Sequence, residues 1–243
     1  LFYQPQIELH DGRIYGAEAL LRWMPHDGEA VGPDRFIPVA EESGLILPIG
    51  EWVIHQAFRQ ARRWQDAGIP LRLSINISGL QIYRTDLIAT RAAVQRDVGV
   101  PPTRIELELT ESTLMEDVAV ARDVLAALKS CGYSVAIDDF GTGYSSLAYL
   151  KKFPLDKLKI DRSLITDLCT NLEDQAIARS VIQIAHSLNL QVVAEGVETA
   201  EQCALLRRHG CHKGQGYLFG RPVPANELVL PGPQGAAAHH IAH

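Results

Sequence analysis

The chain has 243 residues, of which 47% are hydrophobic and 21% are charged. This composition excludes an intrinsically disordered chain, and the length suits one barrel of about 250 residues as well as two smaller domains. The 23 Lys and Arg residues stand against 29 Asp and Glu residues, which gives a net charge of −6. Because backbone binding of a polymeric nucleic acid needs a basic surface, the charge argues against such a partner. A small phosphorylated ligand stays compatible with it, since bound metal ions can supply positive charge.

The four cysteines, at positions 131, 169, 203 and 211, have the spacing of neither a metal-binding pair nor a disulfide scaffold, so we expect reduced thiols. The sequence contains no apolar run of the ~18 residues that a membrane span requires and no signal peptide. It begins without Met, inside the apolar stretch 1–3, so we expect it to be a piece of a longer protein.

Short apolar strands alternate with amphipathic helices along the chain, a pattern that predicts a parallel sheet covered by helices. Eight strands are predicted, over residues 2–7, 16–23, 71–77, 105–110, 134–138, 157–161, 191–195 and 213–219. Helices are predicted between them, over residues 33–42, 48–67, 81–97, 116–130, 145–151, 174–189 and 200–209. So many repeats in this length favour an α/β fold of the closed (β/α)8, TIM-like barrel type over an open sheet.

The first connection, residues 8–15, is too short for a helical crossover. A two-residue turn at Asp11-Gly12 predicts a hairpin, and therefore an antiparallel first strand. Because no linker interrupts the pattern, we expect one barrel domain over residues 1–230. The Gly-, Ala-, Pro- and His-rich residues 231–243 are expected to form a disordered tail.

Charged residues recur on the barrel strands, where charge is costly unless it reaches the open end of the barrel. Alternate residues of a strand point to opposite faces, so Glu106 and Glu108 are expected to face inward, as are Lys157 and Lys159. Six successive strands thus deliver polar groups near their carboxyl ends, where the active site of a barrel lies: Glu18, Asn76, Glu108, Asp138 with Asp139, Lys159 and Glu195.

Five carboxylates in this set could not all stay ionised side by side without a cation. Oxygen ligands without His or Cys favour Mg²⁺ or Mn²⁺ over Zn²⁺. The adjacent Asp138 and Asp139 would allow two ions with Asp138 as the bridge, and paired metal ions are a recurring means of hydrolysing phosphodiesters.

The alternative is that these acids merely cap helices or occupy turns. For single residues this alternative competes well, since Asp161 would cap the helix that follows it and Glu198 would start the next helical turn. Glu106 and Lys157 are expected to form a structural ion pair or to lie lower in the barrel. Six strand ends together are harder to explain in this way.

The triplet Glu18-Ala19-Leu20, followed by Leu21-Arg22, resembles the signature of EAL-domain cyclic-di-GMP phosphodiesterases. Further segments resemble the motifs of that family in the same order: YQP at 3–5, NIS at 76–78, ELTES at 108–112, DDFGTGYSSL at 138–147, LKID at 158–161, AEGVE at 194–198 and QGYLFGRP at 215–222. The resemblance spans nearly the whole chain, and the family has a barrel with an antiparallel first strand.

The resemblance implies hydrolysis of one phosphodiester bond of cyclic di-GMP to linear pGpG, which lowers the level of this second messenger. By motif match, the ligands of two Mg²⁺ or Mn²⁺ ions would be Glu18, Asn76, Glu108 and Asp138 for one ion, and Asp138 with Asp139 for the other. Lys159 would orient the attacking water and stabilise charge. Glu195 would serve as the general base or as a water-binding carboxylate.

Substrate contacts are implied for Gln4, Leu20, Arg22 and Gln215, with Arg22 on a phosphate through its planar guanidinium. Glu111 would anchor the loop 139–145, which couples dimer geometry to activity in the family, without touching metal. The resemblance further implies a homodimer, and sensor or cyclase domains in the full-length protein. We expect a cytoplasmic domain, in a parent protein that is either soluble or anchored in the inner membrane.

Two other functions remain open at this point. The first is a sensor module that holds cyclic di-GMP without hydrolysing it, although none of the ligand positions is degenerate. The second is a barrel enzyme that abstracts a proton next to a carboxylate, with Lys159 as the base. The Asp138-Asp139 pair favours two metal ions and phosphodiester chemistry over this second alternative.

Overall fold

A closed barrel of eight strands forms the centre of the protein, described here from a computed structural model over residues 1–26, 28–141 and 150–229. The strands follow chain order around the barrel: β1 (Phe2–Glu8), β2 (Ile14–Leu20), β3 (Arg72–Asn76), β4 (Ile105–Thr110), β5 (Ser134–Phe140), β6 (Lys157–Ile160), β7 (Gln191–Ala194) and β8 (Lys213–Gln215). The closed α/β barrel predicted from the strand–helix alternation is therefore confirmed.

The first strand runs antiparallel to both of its neighbours, β2 and β8, whereas the other neighbouring strands are parallel. The predicted hairpin is confirmed, but its turn is longer than two residues. Glu8 N donates to Arg13 O at 2.9 Å, which encloses four residues, and Gly12 has φ +72°. As a result, the amino end of β1 lies at the same rim as the carboxyl ends of the other strands.

Helices surround the barrel and connect its strands. In the described residues they are α1 (Pro33–Glu42), α2 (Ile46–Asp66), α3 (Gly79–Arg84), α4 (Leu87–Val98), α5 (Glu111–Glu116), α6 (Val118–Ser130), α7 (Arg162–Thr166), α8 (Leu172–Ser187) and α9 (Ala200–Arg208). A 3₁₀ turn, Pro102–Arg104, precedes β4.

Two of the helical stretches predicted from the sequence are divided differently in the structure. The stretch 81–97 is two helices, because Thr85 has extended backbone angles and Asp86 caps α4 through the amide of Ala89. The stretch 116–130 starts earlier, with α5, and is interrupted at Asp117, which caps α6. Caps inside a polar run leave the apolar periodicity almost unchanged, so periodicity alone cannot detect them.

Two further differences concern the region around β6. Helix α7 was not among the helices predicted from periodicity and was considered only as the helix that Asp161 would cap; the Asp161 carboxylate accepts from the amide of Ser163 at 2.9 Å. Asp161 is thus a helix cap, as the alternative reading of that acid held. The predicted helix 145–151 falls mostly outside the described residues, as does the predicted tail 231–243.

The two faces of the strands differ in chemistry. Outward-facing Leu73, Leu107 and Leu158 are fully buried against the helices. The inner face carries buried charge instead: Lys157 Nζ lies 2.7 Å from Glu106 Oε1, with both side chains at most 1% exposed. The expected structural ion pair is therefore present, and it fills the lower barrel. None of the described helices is long and apolar enough to cross a membrane.

Candidate active site

A single ammonium group lies at the centre of the carboxylates at the barrel mouth. Lys159 Nζ on β6 is 2.6 Å from Glu108 Oε2, 2.7 Å from Glu195 Oε1, 3.0 Å from Asp138 Oδ2 and 3.5 Å from Glu18 Oε2. Lys159 is 1% exposed and Glu108 is completely buried. The parity argument therefore predicted correctly that these side chains point into the barrel.

The carboxylates form two groups of three that share Asp138. Oxygen atoms of Glu18, Glu108 and Asp138 lie within 4.8 Å of one another, and so do oxygen atoms of Asp138, Asp139 and Glu195. Groups of this size with only oxygen atoms can hold Mg²⁺ or Mn²⁺. The shared residue is the one that the sequence predicted as a bridge between two ions.

Backbone geometry explains how two consecutive residues reach the same side of β5. Asp139 has φ +55°, and the pairing of β5 with β6 shifts register between Ile137 and Phe140. In a regular strand Asp138 and Asp139 would point to opposite faces. The left-handed residue interrupts the alternation, and Asp is one of the few side chains that adopt this conformation readily.

The electrostatics of the site suit a bound cation. Burial raises the pKa of Glu108 to about 8, with the charges of Glu18 and Asp138 adding to the effect. Burial and the neighbouring Asp138 raise the pKa of Asp139 to about 6, and they raise the pKa of Glu195 well above its usual range. Without further positive charge, Glu108 would hold a proton at neutral pH, whereas Asp139 would hold one only below about pH 6.

One ammonium does not balance this cluster. Burial by itself lowers the pKa of Lys159, but the charges of Asp138, Glu108 and the other carboxylates outweigh burial and hold the pKa well above its ordinary value. Among the buried side chains that the structure describes, Glu108 also keeps one oxygen, Oε1, without a hydrogen-bond partner. Hard divalent cations fit both observations, because they neutralise charge and bind carboxylate oxygen.

Two amides flank Glu18. Asn76 Nδ2 donates to Glu18 Oε1 at 2.6 Å, and Gln215 Nε2 donates to Glu18 Oε2 at 2.6 Å. Gln215 also donates to Gln4 Oε1 at 3.0 Å, while Gln4 Nε2 donates to Gly220 O at 3.0 Å. The structure thus brings both amides and Gln4 of β1 to the carboxylates, as expected for residues of one site.

Comparison with known proteins agrees with this geometry. A profile of the EAL domain matches residues 1–222. The chain belongs to the EAL domain family. Its match to the bifunctional diguanylate cyclase/cyclic di-GMP phosphodiesterase MucR of Pseudomonas aeruginosa is 44% identical over 231 residues, covering 94% of this chain and 34% of MucR. The match to the cyclic di-GMP phosphodiesterase PdeR of Escherichia coli is 40% identical over 225 residues, covering 93% of this chain and 34% of PdeR.

The EAL fold is also found in solved structures. The complex of the PaMucR phosphodiesterase with c-di-GMP superposes with a TM-score of 0.91 at 43% identity, covering 94% of this chain and 93% of that one. The chain spans about a third of the length of MucR and PdeR. The resemblance noted from the motifs is therefore confirmed for the domain.

The remaining predicted residues of the EAL site lie around the same rim. Leu20 ends β2, and Arg22 follows it, with Nη1 donating to the neighbouring Leu21 O at 2.9 Å. The predicted strand 16–23 included Arg22, but β2 ends at Leu20, so Arg22 lies beyond the end of the strand. Glu111 is the first residue of α5 and is 7% exposed. Most of the loop that it is predicted to anchor, from residue 142 onward, falls outside the described residues.

One layer of the EAL barrel, next to the carboxylates, contains a hydrogen bond that the sequence analysis did not predict. Gln6 Nε2 donates to Gln215 Oε1 at 3.0 Å, and Ser74 Oγ lies 3.5 Å from Gln6 Oε1. Gln6 shares a strand face with Gln4, so parity could have placed it inside the barrel. Its contact with Gln215 is invisible in the sequence, because it spans 209 positions and depends on barrel closure.

Proposed function

We propose that this domain hydrolyses one phosphodiester bond of cyclic di-GMP to linear pGpG with the help of two Mg²⁺ or Mn²⁺ ions. The observation that carries the proposal is the pair of three-carboxylate groups that share Asp138. Family membership supports it, because relatives named as cyclic di-GMP phosphodiesterases match nearly the whole chain. A related structure that holds c-di-GMP supports the choice of substrate.

The proposed metal ligands are the acids of the two groups together with Asn76. Glu18, Asn76, Glu108 and Asp138 would hold one ion, and Asp138 with Asp139 the other. Such ions, when bound, lower the pKa of a coordinated water and offset the charge that develops on the phosphoryl oxygens.

Lys159 supplies positive charge in the proposed mechanism. Since its pKa is held well above the ordinary value by Asp138, Glu108 and the other carboxylates, it keeps its proton at neutral pH. Its three N–H groups face Glu108, Asp138 and Glu195, and metal binding by Glu108 and Asp138 would free two of them to donate to the attacking water and to the phosphoryl oxygens. The alternative enzyme, in which Lys159 would act as a base, would need this amine without its proton.

Glu195 is the proposed acceptor of the proton that the attacking water loses. Its Oε1 lies 2.7 Å from Lys159 Nζ, so both groups reach one reacting centre. Burial and the charge of Asp138 raise the pKa of Glu195, so Glu195 can act as a base only where bound cations offset that effect and leave it ionised.

Four residues are proposed to hold the nucleotide at the rim: Gln4, Leu20, Arg22 and Gln215. Arg22 is suited to a phosphate, because its planar guanidinium forms paired charge-assisted hydrogen bonds. Glu111 is proposed to anchor the loop after β5. We also propose a homodimer, a cytoplasmic location, and sensor or cyclase domains in the parent protein, in line with the bifunctional name of MucR.

The competing function is a sensor module that binds cyclic di-GMP without hydrolysing it. The discriminating experiment incubates metal-depleted protein with cyclic di-GMP, with and without Mg²⁺ or Mn²⁺, and separates the products by chromatography. We expect pGpG only when metal is added, and none from Glu18→Gln. Glu41→Gln, an exposed acid on α1, is the control and should behave as the parent. Tight nucleotide binding without pGpG would overturn the proposal in favour of the sensor.

A further inference from the structure

Gln6 is a buried polar residue that contacts none of the proposed metal ligands. It is 1% exposed, and it pairs with Gln215 where β1 closes the barrel against β8. We infer that Gln6 is a positioning residue, which orients the Gln215 amide so that its NH₂ group donates to Glu18. The inference rests on the proposed function, in which Glu18 is a metal ligand.

The charge of Glu18 fixes the direction of a chain of hydrogen bonds. An ionised carboxylate only accepts, so Gln215 must turn Nε2 toward Glu18 Oε2, at 2.6 Å. Gln215 Oε1 then faces the opposite way and needs a donor, which is Gln6 Nε2 at 3.0 Å. Gln6 Oε1 in turn lies 3.5 Å from Ser74 Oγ, whose one proton has a nearer acceptor in Glu106 Oε1 at 3.1 Å, so the chain of donors ends at Gln6. Each amide therefore has one orientation that is consistent with Glu18.

Space for the Gln6 amide comes from the neighbouring strand. Gly16 of β2 pairs with Gln6, and a Cβ atom at position 16 would lie 3.2 Å from Gln6 Oε1 and 2.7 Å from the backbone oxygen of Arg72. Any larger residue would have to displace a backbone group. Because Gly16 has no side chain, there is room in the barrel for the Gln6 amide.

The orientation of the Gln215 amide affects two parts of the site, because Gln215 donates to Glu18 and also to Gln4 Oε1, at 3.0 Å. Without the donor at Gln6, Gln215 Oε1 would be a buried acceptor with no partner, an arrangement that folded proteins avoid. Any movement of the amide that brings Oε1 to another donor would lengthen or break the hydrogen bonds that Nε2 makes to Glu18 and Gln4. Loss of Gln6 should therefore weaken metal binding through Glu18 and substrate binding through Gln4.

The test replaces Gln6 by a residue of similar shape that cannot hydrogen-bond, Gln6→Met. Mn²⁺ binding is measured by calorimetry on the whole domain without nucleotide, and turnover is then measured over a range of substrate concentrations. Because partners that orient a metal ligand are worth about 10- to 100-fold in metal affinity, we expect Mn²⁺ to bind at least about 10-fold more weakly. KM should rise, while kcat at saturating metal and substrate should stay within about threefold of the parent.

A matched control separates positioning from general damage. Gln60 is a buried glutamine on α2 outside the barrel, 7% exposed, and Gln60→Met should leave Mn²⁺ affinity and KM unchanged. If Gln6→Met does not fold, as judged by circular dichroism, Gln6→Leu takes its place. Parent-like Mn²⁺ affinity in a folded Gln6 variant would overturn the inference. A parent protein that does not bind Mn²⁺ would overturn the proposed function and the inference with it.

Discussion

Asp138 and Asp139 are neighbours in β5, yet both carboxylates reach Glu195, with oxygen atoms of all three residues within 4.8 Å. The positive φ of Asp139 makes this possible, because it turns the second side chain back to the face of the first. One backbone angle thus allows Asp138 to belong to both carboxylate groups. The proposed two-metal site depends on this local departure from regular strand geometry.

This relationship predicts different outcomes for two substitutions of Asp139. Asparagine tolerates a left-handed backbone, so Asp139→Asn should keep the fold while losing the charge. We expect activity to fall by about 10²-fold or more, the scale seen when one group that stabilises charge is removed. Denaturant unfolding at pH 8 should show a metal-free protein at least as stable as the parent, because one buried acid has gone.

Asp139→Val tests the backbone rather than the charge. A β-branched residue at φ +55° is strained, by about 1–3 kcal/mol. We expect a correspondingly lower free energy of unfolding for Val than for Asn at this position. Equal stability of the two variants would contradict the backbone account of the Asp138–Asp139 pair.

The raised pKa values predict how stability depends on pH. Glu108, at about 8, and Asp139, at about 6, hold protons in the folded state that the unfolded chain has already released. The stability that comes from this difference in pKa is fully present below the pKa of an ordinary carboxyl group. It is lost as the pH rises through the pKa values that these acids have in the folded state. The melting temperature of the metal-free protein should therefore fall between pH 5.5 and pH 8.

Metal binding should reverse this loss, since a bound cation replaces the protons. Thermal unfolding with and without Mn²⁺ should show a larger metal-induced rise in melting temperature at pH 8 than at pH 5.5. Glu108→Gln removes the acid whose pKa is raised to about 8, so the melting temperature of this variant without metal should depend less on pH. If Mn²⁺ raised the melting temperature most at pH 5.5, the assignment of these acids as metal ligands would be wrong.

Lys159 is predicted to act on turnover rather than on the fold. Lys159→Met keeps most of the side-chain volume and removes the ammonium group that touches four carboxylates. Steady-state assays should show kcat reduced by about 10²- to 10³-fold. Mn²⁺ should still bind in calorimetry, because a divalent ion can compensate for the missing charge. Activity within threefold of the parent would rule out the proposed role.

Lys157, two residues earlier in the same strand, is predicted to act on stability instead. Lys157→Met leaves Glu106 buried without its main partner, which should cost about 3–5 kcal/mol in denaturant unfolding. The double variant Glu106→Met/Lys157→Met should recover much of that loss, since it removes both buried charges. A double variant as unstable as the single one would contradict this view of the lower barrel.

Glu111 offers a test of the predicted loop anchor. Glu111→Ala should lower activity while Mn²⁺ affinity stays at the parent value, because the residue is not among the proposed ligands. Calorimetry and turnover measured on one preparation separate the two effects. If Glu111→Ala is as active as the parent, the anchoring role is wrong.

Much of the site could be predicted because strand parity is simple. Alternation alone placed Glu108 and Lys159 inside the barrel, and the carboxyl ends of parallel strands brought them to one rim. Parity by itself could not have placed Asp139 beside Asp138, because there the backbone angle decides the direction of the side chain. No sequence pattern distinguishes that Asp from one in a regular strand.

Other features depend either on contacts between residues far apart in the chain or on a single capping residue. The hydrogen bond between Gln6 and Gln215 exists only because β8 closes on β1, which a linear pattern does not show. The break at Asp86 depends on a single cap, and α7 is five residues long, too short for a helical periodicity. Element type was therefore easier to predict than element boundaries.

The most direct test of the central claim is the anomalous diffraction of a crystal soaked with Mn²⁺. The proposed two-metal site predicts two peaks on either side of Asp138, about 3.5–4 Å apart, one beside Glu18 and Glu108 and the other beside Asp139. Crystals of Asp138→Asn should lose at least one of these peaks. The absence of manganese from these carboxylates at concentrations that support turnover would contradict the account.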